Sequence, residues 1–540
     1  MLKIFKLNQR YLLSKKAIDY FISLTTLGFF ALALGLFLRR TLHTLNFFEF
    51  RDETEKFVAA QMIIEGGHLY KDIFSHHGVL PYIFSHAYAV FISATDFSHI
   101  RLVQILLALI ACSAISLNPI HKTNSAKFFS AGVFLALLAG FWILQGFNVV
   151  LYHSVGGFLL VVPITQLALP LLFNCQPSVR GLIASGAAAV LANFTAYSFG
   201  ISTMALVGVT GILSVDKTER YRIIKYVLMG ALFALAFVVV WLLFFGDIKG
   251  FLVYHFIFNQ FTHSKFIEFN WIKPILTFLP SLRLETLAHY FSTLAYVFSF
   301  FIFLMSAILE NKRRAMFFRL IAIALLAIMV LYSNPRGDVG FQDSAFVIWS
   351  FAFFSIIMGW VLQKADSAQS YLGIMLTIFL CSIFIFVGEQ VGRFGLSAFG
   401  VFRRDMENSS TRLMPEQSEF FNFIRSITRK EKDFLSLVFR PDLYVRLDRT
   451  PASGAYYYLP RLAAYNKNPI DGYNFDICSE IKKNRPAVIF FDDEITWDQY
   501  SVGHYEPCIG KLITEDYRTL RNHPMWYLRN NINVPESIPD

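Results

Sequence analysis

Apolar runs long enough to cross a hydrocarbon core of roughly 30 Å, parted by short polar connections, fill the chain as far as Gly392. They are Ala17–Leu38, Arg101–Leu117, Phe128–Leu144, Gly156–Phe173, a pair within Gly181–Leu213, Tyr226–Phe245, Ala288–Leu309, Ala315–Tyr332, Ala345–Leu362 and Tyr371–Val387. The pattern predicts a polytopic α-helical membrane protein with about eleven transmembrane helices. Basic loops belong on the cytoplasmic side. Those here are the N-terminus, His121–Lys127, Arg180, Lys217–Lys225, Lys312-Arg313-Arg314 and Lys364. Alternation puts all of them inside only if Val79–Ser93, a short apolar stretch holding Pro81 and His86, lies along the membrane or re-enters it instead of crossing. The N-terminus is then cytoplasmic and the C-terminus outside. Arg39-Arg40, at the outer end of the first span, breaks the rule, and Arg101 and Arg319 at span ends are expected to snorkel.

Four polar regions then fall on the outer face: Arg39–His99, Gly146–Ser154, the stretch "GDIKGFLVYHFIFNQFTHSKFIEFNWIKP" from Gly246, and Ser333–Ser344. After Gly392 the pattern changes. An amphipathic helical segment (Glu416–Arg429) and short β-like runs such as Ala487–Phe491 alternate with turns, which predicts a small α/β domain. The expected division is a transmembrane part at 1–391, with outer juxtamembrane helices at about 39–99, and a C-terminal α/β domain at 392–540 on the periplasmic or extracellular face.

Composition agrees with the pattern. Of 540 residues, 55% are hydrophobic and only 16% charged, against about 25% charged in soluble domains. The net charge of +10 reads as topology and contact with anionic membrane lipids, with no nucleic acid implied. The N-terminus is basic, but the run from Ala17 is too long for a signal-peptide core and is followed by Arg39-Arg40, so it reads as a retained span. Cys112, Cys175 and Cys381 lie in or beside apolar segments. Cys478 and Cys508 lie in the polar part and form either a disulfide, if that part is outside the cytoplasm, or two buried thiols. No phosphate-cradling glycine loop, dinucleotide fingerprint or HExxH occurs.

The residues able to carry chemistry cluster in the outer regions. Asp52 and Glu53 stand beside the bilayer, where a carboxylate can act as a general base. The same stretch also fits an N-cap and capping box, Asp52-x-x-Glu55, for a helix Glu53–Glu65. A cap can hold a base in place, so both readings stand. His68, Asp72, His76 and His77 follow, imidazoles and a carboxylate that could take a divalent metal (Mg, Mn or Zn) but match no specific spacing. His255, Asn259, His263 and Lys265 recur at near-helical spacing and could hold a phosphate, or form the polar face of an interfacial helix. Arg336 is a phosphate ligand by its planar fork, or simply marks the membrane edge.

Three segments carry a resemblance. They are "RDETEKFVAAQMIIEGGHLY"; "HHGVLPYIFSHAYAVF", with Val79-Leu80-Pro81 where relatives have a double proline; and "VRLDRTPASGAYYYLPRL" with "KNRPAVIFF". The order resembles the GT-C superfamily of polytopic glycosyltransferases, especially bacterial relatives of protein O-mannosyltransferases and of the aminoarabinose transferase (glycosyltransferase family 39-like). The resemblance implies an inner-membrane enzyme that transfers a sugar from a polyprenyl-phosphate donor to a glycan, lipid or protein hydroxyl on the non-cytoplasmic face. It implies Asp52 as base and, in some members, a metal; by the chemistry of the residues themselves, Glu53 could fix acceptor or metal geometry, and Arg336, His255, His263 and Lys265 could hold the donor phosphate. Many relatives carry an acid in the second outer loop; here "FNVVLYHS" has none, and His153 is the nearest ionisable group. A transporter or flippase of lipid-linked glycans is the alternative reading.

Overall fold

The computed structural model describes residues 15–45, 51–93, 98–214, 216–266, 287–333, 343–366, 371–411, 418–491, 501–521 and 523–533. Among these, nine helices are long and apolar enough to cross a membrane, from Ala17–His43 to Ile374–Ser397. Two more apolar helices, Val179–Asn193 and Phe199–Leu213, are the pair expected within Gly181–Leu213 but have only 15 residues each. At 1.5 Å per residue each reaches about 22 Å, short of a full crossing. The stretch after His77 forms a helix Leu80–Phe91 of 12 residues, too short to span.

The first helix, Lys15–His43, packs on Asn124–Phe141, and the last, Tyr371–Thr411, packs on both. The change of composition after Gly392 thus falls inside one continuous helix. Lipid supplies no hydrophobic drive between helices, so close backbone approach matters. Val179–Asn193 and Lys217–Phe245 achieve it with facing glycines. A Cβ on Gly186 would lie 1.9 Å from the Val227 carbonyl oxygen, and one on Gly230 1.9 Å from that of Ile183. Arg319, only 9% exposed, reaches back to Glu310 ahead of its span and pairs with it at 2.9 Å.

Beyond the spans the chain builds a four-stranded sheet from β1 (Phe434–Ser436), β2 (Val488–Phe490), β3 (Tyr517–Leu520) and β4 (His523–Arg529), in the order β1-β2-β4-β3. β1 and β2 are parallel, and β4 runs antiparallel to both its neighbours. The fully buried β1 and β2 explain the short continuous apolar runs in the sequence. Cys478 and Cys508 are joined in a disulfide. The polar part is keyed onto the first outer loop: the Phe74 N–H donates to the Gly454 carbonyl at 3.0 Å, and the Tyr456 hydroxyl to the Glu55 carbonyl at 3.3 Å.

Gly186→Ala is expected to lower the thermal unfolding midpoint of the detergent-solubilised protein, because overpacking costs about 1–3 kcal/mol. Gly35→Ala, whose Cβ would meet nothing within 4 Å, should leave the midpoint unchanged. Equal midpoints for the two variants would refute the close crossing.

Candidate functional site

The site begins in the helix Arg51–Ile64, where Glu53, Thr54, Glu55 and Lys56 are all fully buried. Two carboxylates and one ammonium do not enter a dry interior without partners, and each carboxylate has a distinct set. Glu53 takes the Arg101 guanidinium at 2.7 Å from Nη2 and 3.0 Å from Nε, and the Val150 N–H at 3.0 Å. Arg101, 2% exposed, also donates to the carbonyls of Thr44 and Leu45. This corrects the snorkelling expected of Arg101. The pair fastens the end of the first span, the carboxylate helix, the second outer loop and the next span to one point. Glu53 has no free capacity for a substrate.

Glu55 was expected to close a capping box. It does not: its Oε1 accepts the hydroxyls of Tyr82 at 2.7 Å and Tyr457 at 3.3 Å, and its Oε2 lies 3.6 Å from His77 Nε2. Burial pushes this carboxyl up, but neighbouring Lys56, His77 and the Tyr82 hydroxyl outweigh it and hold the pKa at about 2. Burial in turn lowers the His77 pKa, partly opposed by Glu55. Lys56 donates through Nζ to the main-chain oxygen of Asp52.

Asp52 differs from both. It is half-buried, close enough to His77 and Tyr457 to act on their titration, and its carboxylate has no hydrogen-bond partner among the described residues. A carboxylate held at its main chain and open at its side chain is suited to accept a proton from a bound group.

A pocket of about 80 Å³ lies alongside, lined by His76, His77, His153, His255 and His263 together with Tyr152, Asn259 and the turn Thr195–Ser198. Three separate segments converge here. His76 and His77 follow the carboxylate helix, and His153 opens the span Tyr152–Leu172. His255 belongs to a π-helical stretch, Leu252–Phe258, and His263 to the 3-10 turn after it. His255 and Asn259, four residues apart, share one face: the Asn259 amide donates to the His76 carbonyl at 2.7 Å and the His255 ring reaches the same oxygen at 3.4 Å. Ring centroids of His76 and His77 lie 4.0 Å apart, and those of His76 and His263 5.0 Å. Burial, then Arg461, His77 and His263, holds the His76 pKa well below its ordinary value, and burial lowers that of His255 to about 4. These two rings are neutral at pH 7. His76 Nδ1 and His255 Nε2 are buried without hydrogen-bond partners.

Sequence reasoning missed three contributors. Glu55 was read only as a cap. The turn Thr195–Ser198 lies within the span pair Gly181–Leu213 and was not singled out. Arg461 comes from the polar part, and its Nη1 lies 3.0 Å from His263 Nδ1; the run "YYYLPRL" preceding the helix Pro460–Asn466 was its one signal. Of the other expected residues, His68 and Asp72 pair with each other at 3.1 Å on an exposed edge and do not line the pocket. Lys265 is exposed, and Arg336 lies outside the described residues. The histidine nitrogens do not gather as metal ligands. Among the described residues, Cys478, Glu506 and Cys508 alone bring three donor atoms within 4.8 Å, and those thiols are disulfide-bonded. The histidines therefore do not form a preassembled ion site.

The fold is similar to that of a solved membrane glycosyltransferase. The aminoarabinose transferase ArnT from Cupriavidus metallidurans, solved bound to undecaprenyl phosphate, superposes with a TM-score of 0.52 at 12% identity, over 78% of this chain and 84% of that one. The oligosaccharyltransferase AglB of Archaeoglobus fulgidus, in complex with an inhibitory peptide and a dolichol-phosphate, gives 0.43 at 12% identity, over 93% and 75%. At such identities the likeness is one of fold. No family model and no curated protein matches the sequence.

Two outcomes follow from the geometry. Arg101→Gln should destabilise the protein by about 3–5 kcal/mol by leaving Glu53 buried and unpaired, whereas Glu53→Leu with Arg101→Met should recover part of that loss. Denaturation in mixed micelles measures both, and a neutral Arg101→Gln would contradict the tether. The second concerns acid. An unfolded histidine takes a proton near pH 6.5, but His255 in the fold only near 4. The stability it contributes is present above the unfolded value and lost as pH falls towards 4. Unfolding midpoints should drop across that window, and His255→Gln should flatten the drop.

Proposed function

We propose that this chain is a glycosyltransferase of the membrane, moving a sugar from a polyprenyl-phosphate donor to an acceptor hydroxyl on the non-cytoplasmic face. The observation that carries the reading is the pairing of an open carboxylate, Asp52, with a recessed pocket lined by five histidines, one of which, His263, is met by Arg461. Such a site can hold a phosphate, and ArnT, which shares the fold, was solved with undecaprenyl phosphate.

In this mechanism the donor phosphate is held by Arg461, by Lys265 and by N–H groups of His76 and His263, while His255, whose ring N–H faces the His76 carbonyl at 3.4 Å, fixes the backbone there. Arg336 is a further candidate for that role. His77 and His153 face the sugar or the acceptor. The acceptor hydroxyl attacks the sugar C1 from the side opposite the phosphate, with inversion, while Asp52 takes its proton and the C1–O bond to phosphate breaks. Negative charge grows on the leaving phosphate, where the fixed donors stabilise it. Glu55 positions His77 and Tyr457 without touching substrate, and Glu53 holds the loop. No step is routed through a metal ion. The disulfide Cys478–Cys508 supports placing the polar part in an oxidising compartment, hence the N-terminus inside and the C-terminal part outside an inner membrane.

Mass spectrometry of envelope glycans and lipids, from cells with the wild-type chain, with Asp52→Asn or with none, tests the reading. Loss of a general base should reduce transfer by about 100-fold or more, at unchanged protein abundance. An Asp52→Asn strain with its full complement of sugar-modified product would overturn the assignment.

A further inference from the structure

The break in the positive-inside pattern, Arg39-Arg40, has a structural counterpart well apart from the pocket. Arg39 donates through Nη2 to both carboxylate oxygens of Glu389 at 2.8 Å, and Arg393 through Nε to Oε1 at 2.7 Å. Arg40 reaches Oε2 of the same carboxylate at 3.4 Å. Three guanidiniums thus share one carboxylate, leaving two positive charges uncompensated within the cluster. The sides differ in exposure: Arg39 and Arg393 side chains are 64% and 67% exposed, Arg40 only 5%. The buried Nε of Arg40 has no hydrogen-bond partner. Arg40 lies flat on the backbone of the last span, where a Cβ on Gly392 would come within 2.8 Å of its Nη2.

Directly beneath this cluster, between the first and last spans, runs an apolar groove of about 580 Å³. Gly28, Leu32, Cys381, Ile385 and Phe386 line it, and Glu389 closes its charged end. Arg40 stands one turn before Thr44, whose carbonyl accepts from Arg101 beside Glu53. The cluster is therefore on the same membrane face as the carboxylate site.

An apolar slot opening onto two surplus positive charges at headgroup level has the form of one kind of molecule. We propose that the cleft between Lys15–His43 and Tyr371–Thr411 is a binding site for an anionic phospholipid of that leaflet, its phosphate on Arg39, Arg40 and Arg393 and one acyl chain in the groove. Arginine suits the task because its planar fork meets phosphate oxygens in pairs. The role accounts for two arginines on the face where topology disfavours them. It is independent of the sugar chemistry, since none of these residues lines the histidine pocket.

The test uses the full chain in nanodiscs or detergent with phosphatidylglycerol and phosphatidylcholine as paired probes, read by native mass spectrometry. Phosphatidylglycerol should be retained about ten-fold better. Arg39→Gln with Arg393→Gln should abolish that preference, and Glu389→Gln should keep or raise it. Ser382→Trp, which fills the groove from its exposed side, should lower retention with all charges intact and serves if the arginine variant does not fold. Equal retention of both lipids by the wild-type chain overturns the proposal, as does a preference that survives both the double-arginine and the groove-filling change.

Discussion

The buried bond between Glu53 and Arg101 is the point on which the outer face depends. It is a costly interaction to make, because both charges leave water. Its value is geometric. Through Thr44, Leu45, Val150 and the carboxylate helix it fastens four separate segments at once. With Glu53 committed to that task, Asp52 next to it on the helix is left open, and Glu55, one turn on from Arg51, is turned towards His77, Tyr82 of the short outer helix and Tyr457 of the polar part. Three acids within four residues thus acquire three different environments: one a tether, one a positioning group, one a free carboxylate.

The pocket has a related logic. The turn between Val179–Asn193 and Phe199–Leu213 forms one of its walls. Burial there lowers the pKa values of His76 and His255 and keeps these two rings neutral. Neutral rings donate and accept hydrogen bonds without the desolvation penalty of a buried cation, and Arg461 brings the permanent charge from the polar part. A phosphate entering from the lipid would meet donors already in position, which is the condition under which electrostatic stabilisation is strongest.

The fold was largely legible in the sequence because spans are written in composition: length and hydropathy gave the long helices, and loop charge predicted which stretch would not cross. The histidines His76, His77, His153, His255 and His263 were also readable as candidates. Their convergence was not, since it depends on tertiary folding across nearly two hundred residues. Glu55 was read only as part of a capping box and Glu53 as an acceptor or metal group, because a sequence shows local patterns, whereas both side chains are claimed by partners distant in sequence, Arg101, Tyr82 and Tyr457. Arg101 looked like a snorkelling residue because its burial is conferred by the outer loops packed over it. The Arg39-Arg40 anomaly was visible in the sequence, and only the position of Glu389 gave it meaning.

The central claim is that the histidine pocket receives a polyprenyl phosphate beside Asp52. The most direct measurement is an experimental structure of the full chain with undecaprenyl phosphate. The account predicts the phosphate within hydrogen-bonding reach, about 3 Å, of Arg461 and of His76 or His263, with the Asp52 carboxylate facing the position a sugar would occupy. A phosphate bound elsewhere, with the pocket closed to it, would contradict the account.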